Sequence, residues 1–140
     1  MTSQHRLRRR VNFYETDLAG IVHFSCFFRY MEEAEHALWR EAGLTIARAG
    51  EETGFPRVAA SCDFHAPLRF EDEIEVWVRV ARITRRTLYY TFVMTRGETK
   101  LATGSTTVAC VRKSPTEPMK AIDLPAEVVA RFAVASDGEA

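Results

Sequence analysis

The sequence predicts an α+β domain in which a curved antiparallel sheet of five strands wraps one long central helix. Three observations predict it. Only the stretch from Phe24 to Ala42 carries apolar residues at sustained steps of three and four, the period of a helix with one buried stripe. One stretch before it and four after it, Val58 to Phe64, Ile74 to Val80, Leu88 to Met94 and Leu101 to Val111, have the length and alternation of strands. A lone helix with a broad apolar face has no second helix to pair with, so the sheet must close around it.

Taken in order, Arg6 to Tyr14 sets Leu7, Val11 and Phe13 among arginines at roughly two-residue spacing, which suits a first strand exposed on one face. In the helix, Phe24, Phe27, Phe28, Met31, Ala34, Leu38 and Ala42 form the apolar side, and Glu32, Glu35, His36 and Arg40 the other. Ser25 is the expected N-cap, and Gly43 the residue that allows a left-handed exit. A loop through Gly50 and Gly54 leads to the later strands. Thr84 to Thr87 and Arg96 to Lys100 are short connections, so the last three long strands form an antiparallel meander. Pro118 and Pro125 frame a final segment in which Ala126 to Phe132 makes a short helix. No repeat or linker divides residues 1–140, which read as one domain ending in a polar tail from Ser136 to Ala140.

Composition narrows the function classes. Nineteen Lys and Arg balance nineteen Asp and Glu, so no overall field favours nucleic acid or an anionic membrane. No apolar run approaches the ~20 residues that span a bilayer, and Met1 to Arg10 lacks the apolar core of a secretory signal; a cytoplasmic location is expected. Cys26, Cys62 and Cys110 have no C-x-x-C pairing and read as reduced, buried thiols. Glu33-x-x-His36 has metal-ligand spacing on a helix, but such sites draw on several helices. His5, His23, His36 and His65 offer no H-x-x-x-H pair, so no metal is expected. Ser61, Asp63 and His65 share a strand face, yet alternate strand residues lie about 7 Å apart and no G-x-S-x-G elbow is present. Asp63 and His65 are instead expected near a subunit contact or a binding cleft.

The most informative stretch is FYETDLAGIVHFSCFFRYM, residues 13–31, where a lone acid sits between a strand and a helix start. Asp17 and Gly20 alone would read as a turn. Together with Arg10-Val11-x-Phe13, Thr16-Asp17-x-x-Gly20-x-Val22, Phe28-Arg29-Tyr30-Met31-Glu32, Phe64-x-x-Pro67-x-x-x-x-Asp72 and Arg85-Arg86-Thr87, the chain resembles hotdog-fold thioesterases of the 4-hydroxybenzoyl-CoA thioesterase type, from about Arg6 to Val111.

The resemblance implies hydrolysis of an acyl-CoA thioester to a carboxylate and free coenzyme A, without a cofactor, in a homodimer or homotetramer whose sites lie between subunits. It casts Asp17 as nucleophile or general base and the Phe24 backbone amide as oxyanion donor. Gly20 and Val22 would flank the substrate, while Arg85, Arg86 and Thr87 would meet the coenzyme A phosphates. Orphan amides at a helix start suit a developing oxyanion, and the same terminus favours a nearby carboxylate. Phe24 stands where many relatives place His or Tyr, with His23 one residue earlier; His23 is therefore an optional side-chain donor, and His65 an optional substrate contact. Glu32 or Glu33 is the fallback acid, since some hotdog relatives carry theirs on the central helix. Phe24, Phe27, Tyr30 and Phe64 line an aromatic-acyl pocket or belong to the core. The alternatives are a thioesterase acting on a carrier protein and a non-hydrolytic acyl-CoA-binding module.

Overall fold

A computed structural model describes residues 1–136; the remainder of the expected polar tail lies outside the described residues. Five strands, β1 (Gln4–Arg10), β3 (Arg57–Phe64), β4 (Glu73–Ile83), β5 (Thr87–Arg96) and β6 (Thr99–Ala109), form one antiparallel sheet in the order β1-β4-β5-β6-β3. The meander of β4, β5 and β6 is the one expected from the two short connections. The turn at Gly97 and Glu98 opens on a glycine with φ +59°, which a two-residue hairpin needs.

The long helix α1 (Phe24–Glu41) lies on one face of this sheet and touches both edge strands, β1 and β3, as well as β4. Contact with both edges requires the sheet to curve around the helix. Ile74, Val76, Val78 and Val80 of β4 and Leu88, Tyr90, Phe92 and Met94 of β5 pack beneath Phe27, Met31, Ala34 and Leu38. Gly104 on β6 permits the close approach. A Cβ there would collide with the Met31 side chain and lie 2.8 Å from the Ser61 carbonyl oxygen. Among the described residues no helix is long and apolar enough to cross a membrane.

Several expectations are corrected. The first strand stops at Arg10 rather than Tyr14, because Phe13–Glu15 winds into a 3-10 turn capped by Asn12, whose N–H donates to the Glu15 carboxylate (2.8 Å). The N-cap of α1 is His23 and not Ser25; Ser25 N–H donates to His23 Nδ1 (3.2 Å). Gly43 does take the left-handed exit, with φ +76°. The last long strand ends at Ala109, and its continuation β7 (Val111–Arg112) joins β2 (Thr53–Gly54) and β8 (Lys120–Ala121) in a small second sheet absent from the sequence reading. The short helix α2 spans Ala126–Arg131. All three cysteines are free, but only Cys110 is fully buried.

Glu35, assigned to the solvent side of α1, is 1% exposed. Arg57, 22 residues later on β3, reaches it with a charged hydrogen bond, and Trp39 Nε1 donates to the adjacent Tyr90 hydroxyl (2.9 Å). Desolvation raises the Glu35 carboxyl to about 7, against the pull of Arg57 and Tyr90. Edge strand β3 is open on both faces along nearly its whole length, Val58 and Phe64 included.

Candidate active site

Asp17 occupies a tight loop whose base is the bridge between Thr16 and Val22. The Asp17 N–H donates to Ile21 O (2.9 Å) and the Gly20 N–H to Asp17 O (3.0 Å), which turns the chain at Gly20, φ +79°. Glycine is the residue that holds this conformation without strain. The Ala19 N–H donates to Asp17 Oδ1 (2.9 Å), the self-closing bond typical of an aspartate turn. That bond fixes the carboxylate and leaves Oδ2 without a partner among the described residues.

The loop delivers the chain into α1 with nearly every donor used. Val22 N–H donates to Leu68 O (2.8 Å), His23 N–H to Glu15 O (2.9 Å) and Cys26 N–H to His23 O (2.9 Å). His23 Nδ1 takes the Ser25 amide and lies 2.8 Å from the Ser25 hydroxyl; accepting at Nδ1 puts the proton of the neutral ring on Nε2. Among the described residues the Phe24 amide alone in this run has no partner. It is an orphan donor at a helix terminus, where partial positive charge accumulates.

Asp17 and this helix start open onto a cavity of about 460 Å³. Its walls include Val22, Phe24, Phe27, Phe64 and Leu68, and its ionisable side chains are Asp17 and His65. Phe24 is 62% exposed, so this member of the helical stripe belongs to the cavity rather than to the core. Phe27 meets Phe64 edge-on, with ring centroids 4.8 Å apart. His65 Nε2 lies 3.0 Å from the Thr103 hydroxyl, while Ser61 pairs with Ser105 (2.8 Å). Strand-face neighbours thus bond across the sheet and not to one another. His23 and Gly20 stand beside the cavity without lining it.

The structure brings Asp17, Val22, Phe24 and His65 to one site, and keeps Arg85, Arg86 and Thr87 away from it. Thr87 pairs with Ala109 and Phe64 with Ala102, so the basic tip lies seven residues of β6, about 23 Å, towards the opposite end of the sheet. There both guanidiniums meet Asp123, at 3.3 and 3.2 Å. The fallback acids are engaged elsewhere: Glu33 with Arg9 (2.8 Å) and Glu32 with Arg57 (3.2 Å), and neither lines the cavity. Tyr30 is buried below it.

One group beneath the site was not anticipated. Glu15, 7% exposed, takes both terminal nitrogens of Arg9 (2.9 Å each) and the Tyr30 hydroxyl (2.9 Å). Burial alone would raise its carboxyl; Arg9, the Asn12 amide and Tyr30 reverse this and hold it below its ordinary value. The Tyr30 hydroxyl is pushed up by burial and by Glu15. The signal in the sequence was Asn12-x-x-Glu15, the spacing of a capping box.

Comparison with known proteins agrees with the fold. Residues 11–132 match the thioesterase-like superfamily. A protein of Aquifex aeolicus (strain VF5) whose name places it among esterases is 32% identical over 124 residues, 87% of this chain and 92% of that one. A 1,4-dihydroxy-2-naphthoyl-CoA hydrolase of Prochlorococcus marinus (strain MIT 9303) is 34% identical over 86 residues, 55% of this chain and 57% of its own. A solved gentisyl-coenzyme A thioesterase superposes with a TM-score of 0.81 at 25% identity, covering 89% of this chain and 99% of that one. The chain belongs to the thioesterase-like superfamily and is a hotdog-fold thioester hydrolase.

Proposed function

We propose that this protein hydrolyses an acyl-CoA thioester, with Asp17 as the catalytic carboxylate and the Phe24 amide as oxyanion donor. The observation that carries the reading is that Asp17, whose fixed carboxylate has one oxygen without a partner among the described residues, and Phe24, whose helix-terminal N–H likewise has none, both line one mainly apolar cavity. Attack on a thioester carbonyl moves an electron pair onto its oxygen, and a pre-aimed amide stabilises that charge without reorganising. Asp17 Oδ2 acts in one of two ways. It takes the proton of the attacking water, in which case the tetrahedral intermediate expels the thiolate, the acyl group leaves as the carboxylic acid and the proton on Asp17 passes to the thiolate. Or it attacks the carbonyl carbon itself, in which case the thiolate leaves and water then hydrolyses the acyl–Asp17 anhydride, freeing the carboxylate and Asp17 and supplying the thiolate's proton. The apolar wall of Phe24, Phe27 and Phe64 receives the acyl group. His65 reaches into the same cavity as a polar contact for it.

The nucleotide end of the substrate needs a second copy of the chain in this reading. Edge strand β3 is eight residues long, contains no proline and has both faces open, so its unpaired amides and carbonyls are free to join another edge. Two β3 strands paired antiparallel about a two-fold axis would exchange the ends of the sheet, carrying the partner's basic tip towards the Asp17 end of this one. Arg85 and Arg86 of one subunit then bind phosphate oxygens of the thioester held by the other, a task suited to guanidinium, with Thr87 as a hydroxyl donor.

The test is free-thiol release from a panel of aromatic and aliphatic acyl-CoA thioesters, with Asp17→Asn run beside the wild type. Loss of a positioned acid or base should cut kcat by roughly two to four orders of magnitude while the thioester still binds. Undiminished turnover in Asp17→Asn would sink the assignment. Bound thioester with no turnover in the wild type would turn the reading towards a carrier-protein substrate or a binding module.

A further inference from the structure

We propose that Glu15 is a positioning residue for hydrolysis, setting the separation between the Asp17 carboxylate and the Phe24 amide. The inference rests on the roles given to those two groups. Glu15 lies two residues before Asp17, and its two ends hold different elements. Its carbonyl oxygen accepts the N–H of His23, the residue that caps α1. Its carboxylate is clamped by Arg9 from β1, by the Tyr30 hydroxyl from the second turn of α1, and by the Asn12 amide that closes the 3-10 turn. Arg9 is itself fixed, with its guanidinium 4.2 Å from the centroid of the Tyr30 ring and bonded on its far side to Glu33. The acid loop and the helix start therefore share one anchor, and that anchor is tied to both the sheet and the helix. No group of this knot lines the cavity, so it acts only through what it holds.

The chemistry explains why such an anchor matters. Carbonyl carbon and oxygen are one bond apart, so carboxylate and amide must be placed together to serve both atoms, and a displacement of the order of 1 Å can cost about a hundredfold in rate. Neutralising Glu15 leaves its carbonyl in place but removes the charge that keeps Arg9 and Tyr30 converged on it. The loop is then free to drift relative to the helix, while the substrate-contacting walls, which come from other residues, are unchanged.

The experiment measures kcat and KM for a hydrolysed acyl-CoA thioester, with thermal melting, for Tyr30→Phe, Glu15→Gln and Asp17→Asn. Tyr30→Phe removes one hydroxyl and keeps the ring under Arg9, so it carries the test should Glu15→Gln fail to fold. A positioning role predicts that kcat falls about 10- to 100-fold with KM within about threefold. It also predicts that the pH–kcat profile keeps its midpoints, because Glu15 exchanges no proton with substrate. Folded variants with wild-type kcat, or an activity loss that only follows the fraction unfolded, would overturn the inference while Asp17→Asn remains inactive. Full turnover in Asp17→Asn would instead remove the parent reading, and the inference with it.

Discussion

Glu35 makes the fold's stability depend on pH in a direction opposite to that of most salt-bridged acids. Its carboxyl moves from 4.5 to about 7 because burial on the inner side of α1 outweighs the Arg57 guanidinium and the Tyr90 hydroxyl; Glu32, in the preceding turn, also disfavours its charge, and Oε2 has no hydrogen-bond partner among the described residues. A raised carboxyl binds a proton in the fold that the unfolded chain has already released. Its stabilising contribution is thus complete below pH 4.5 and is lost as pH rises through 7. Between pH 5 and pH 8 a single group shifted by this much removes about 2.5 kcal/mol, a large share of an ordinary domain's stability. Glu35→Gln keeps the shape and abolishes the titration. Urea unfolding of both proteins at steps from pH 5 to pH 8 reads the difference directly, since groups common to both cancel. The stability of the wild type relative to Glu35→Gln should decline by roughly 2 to 3 kcal/mol over that range. A difference constant to within about 0.5 kcal/mol would show that Arg57 keeps Glu35 ionised throughout and that desolvation does not dominate.

Gly104→Ala should lower unfolding free energy by about 1–3 kcal/mol in the same assay, because the added methyl meets Met31 and the Ser61 carbonyl at once and only the side chain can yield. Changing Arg85 and Arg86 together to Ala should raise KM for acyl-CoA and leave turnover of a truncated thioester, lacking the nucleotide, unaffected; equal effects on both substrates would reject the phosphate role.

The parts legible in the sequence are those set by neighbours close along the chain. The stripe of α1 and the alternation of β4 and β5 record which face is buried, and Gly43 and Gly97 mark turns whose backbone needs them. Asp17 was legible as a candidate acid through its motif, and its loop is closed by bonds among Asp17, Ala19, Gly20 and Ile21. What escaped is set by distant partners. Glu35 has the helical phase of a flank residue and is drawn inside by Arg57 from another strand and Tyr90 from a third element. The 3-10 turn that ends β1 closes on the Glu15 carboxylate, which also gathers Arg9 and Tyr30 from other elements, and the His23 cap of α1 is held by the Glu15 carbonyl eight residues earlier. The Arg85–Arg86 tip was correctly read as a hairpin, but which end of the sheet it occupies relative to Asp17 follows only from the register.

That separation offers a sharp test of the shared site. If Asp17 of one subunit works with Arg85 and Arg86 of the other, an Asp17→Asn chain and an Arg85→Ala/Arg86→Ala chain are each deficient alone but complement one another. In the mixed dimer one site joins the intact Asp17 to the intact arginines, and the other collects both defects. Random reassembly of equal amounts makes half the dimers mixed, each with one working site of two, so activity at low substrate should return to about a quarter of wild type. A site built within one chain gives no mixed recovery, because no single chain then carries both sets of residues. The exchange must be shown by a mass or affinity tag on one variant, and mixed dimers that form without recovering activity would place the phosphate contacts elsewhere than at Arg85 and Arg86 of the partner subunit. Recovery near the expected quarter would tie the open β3 edge, the distant basic tip and the Asp17 loop into one catalytic unit.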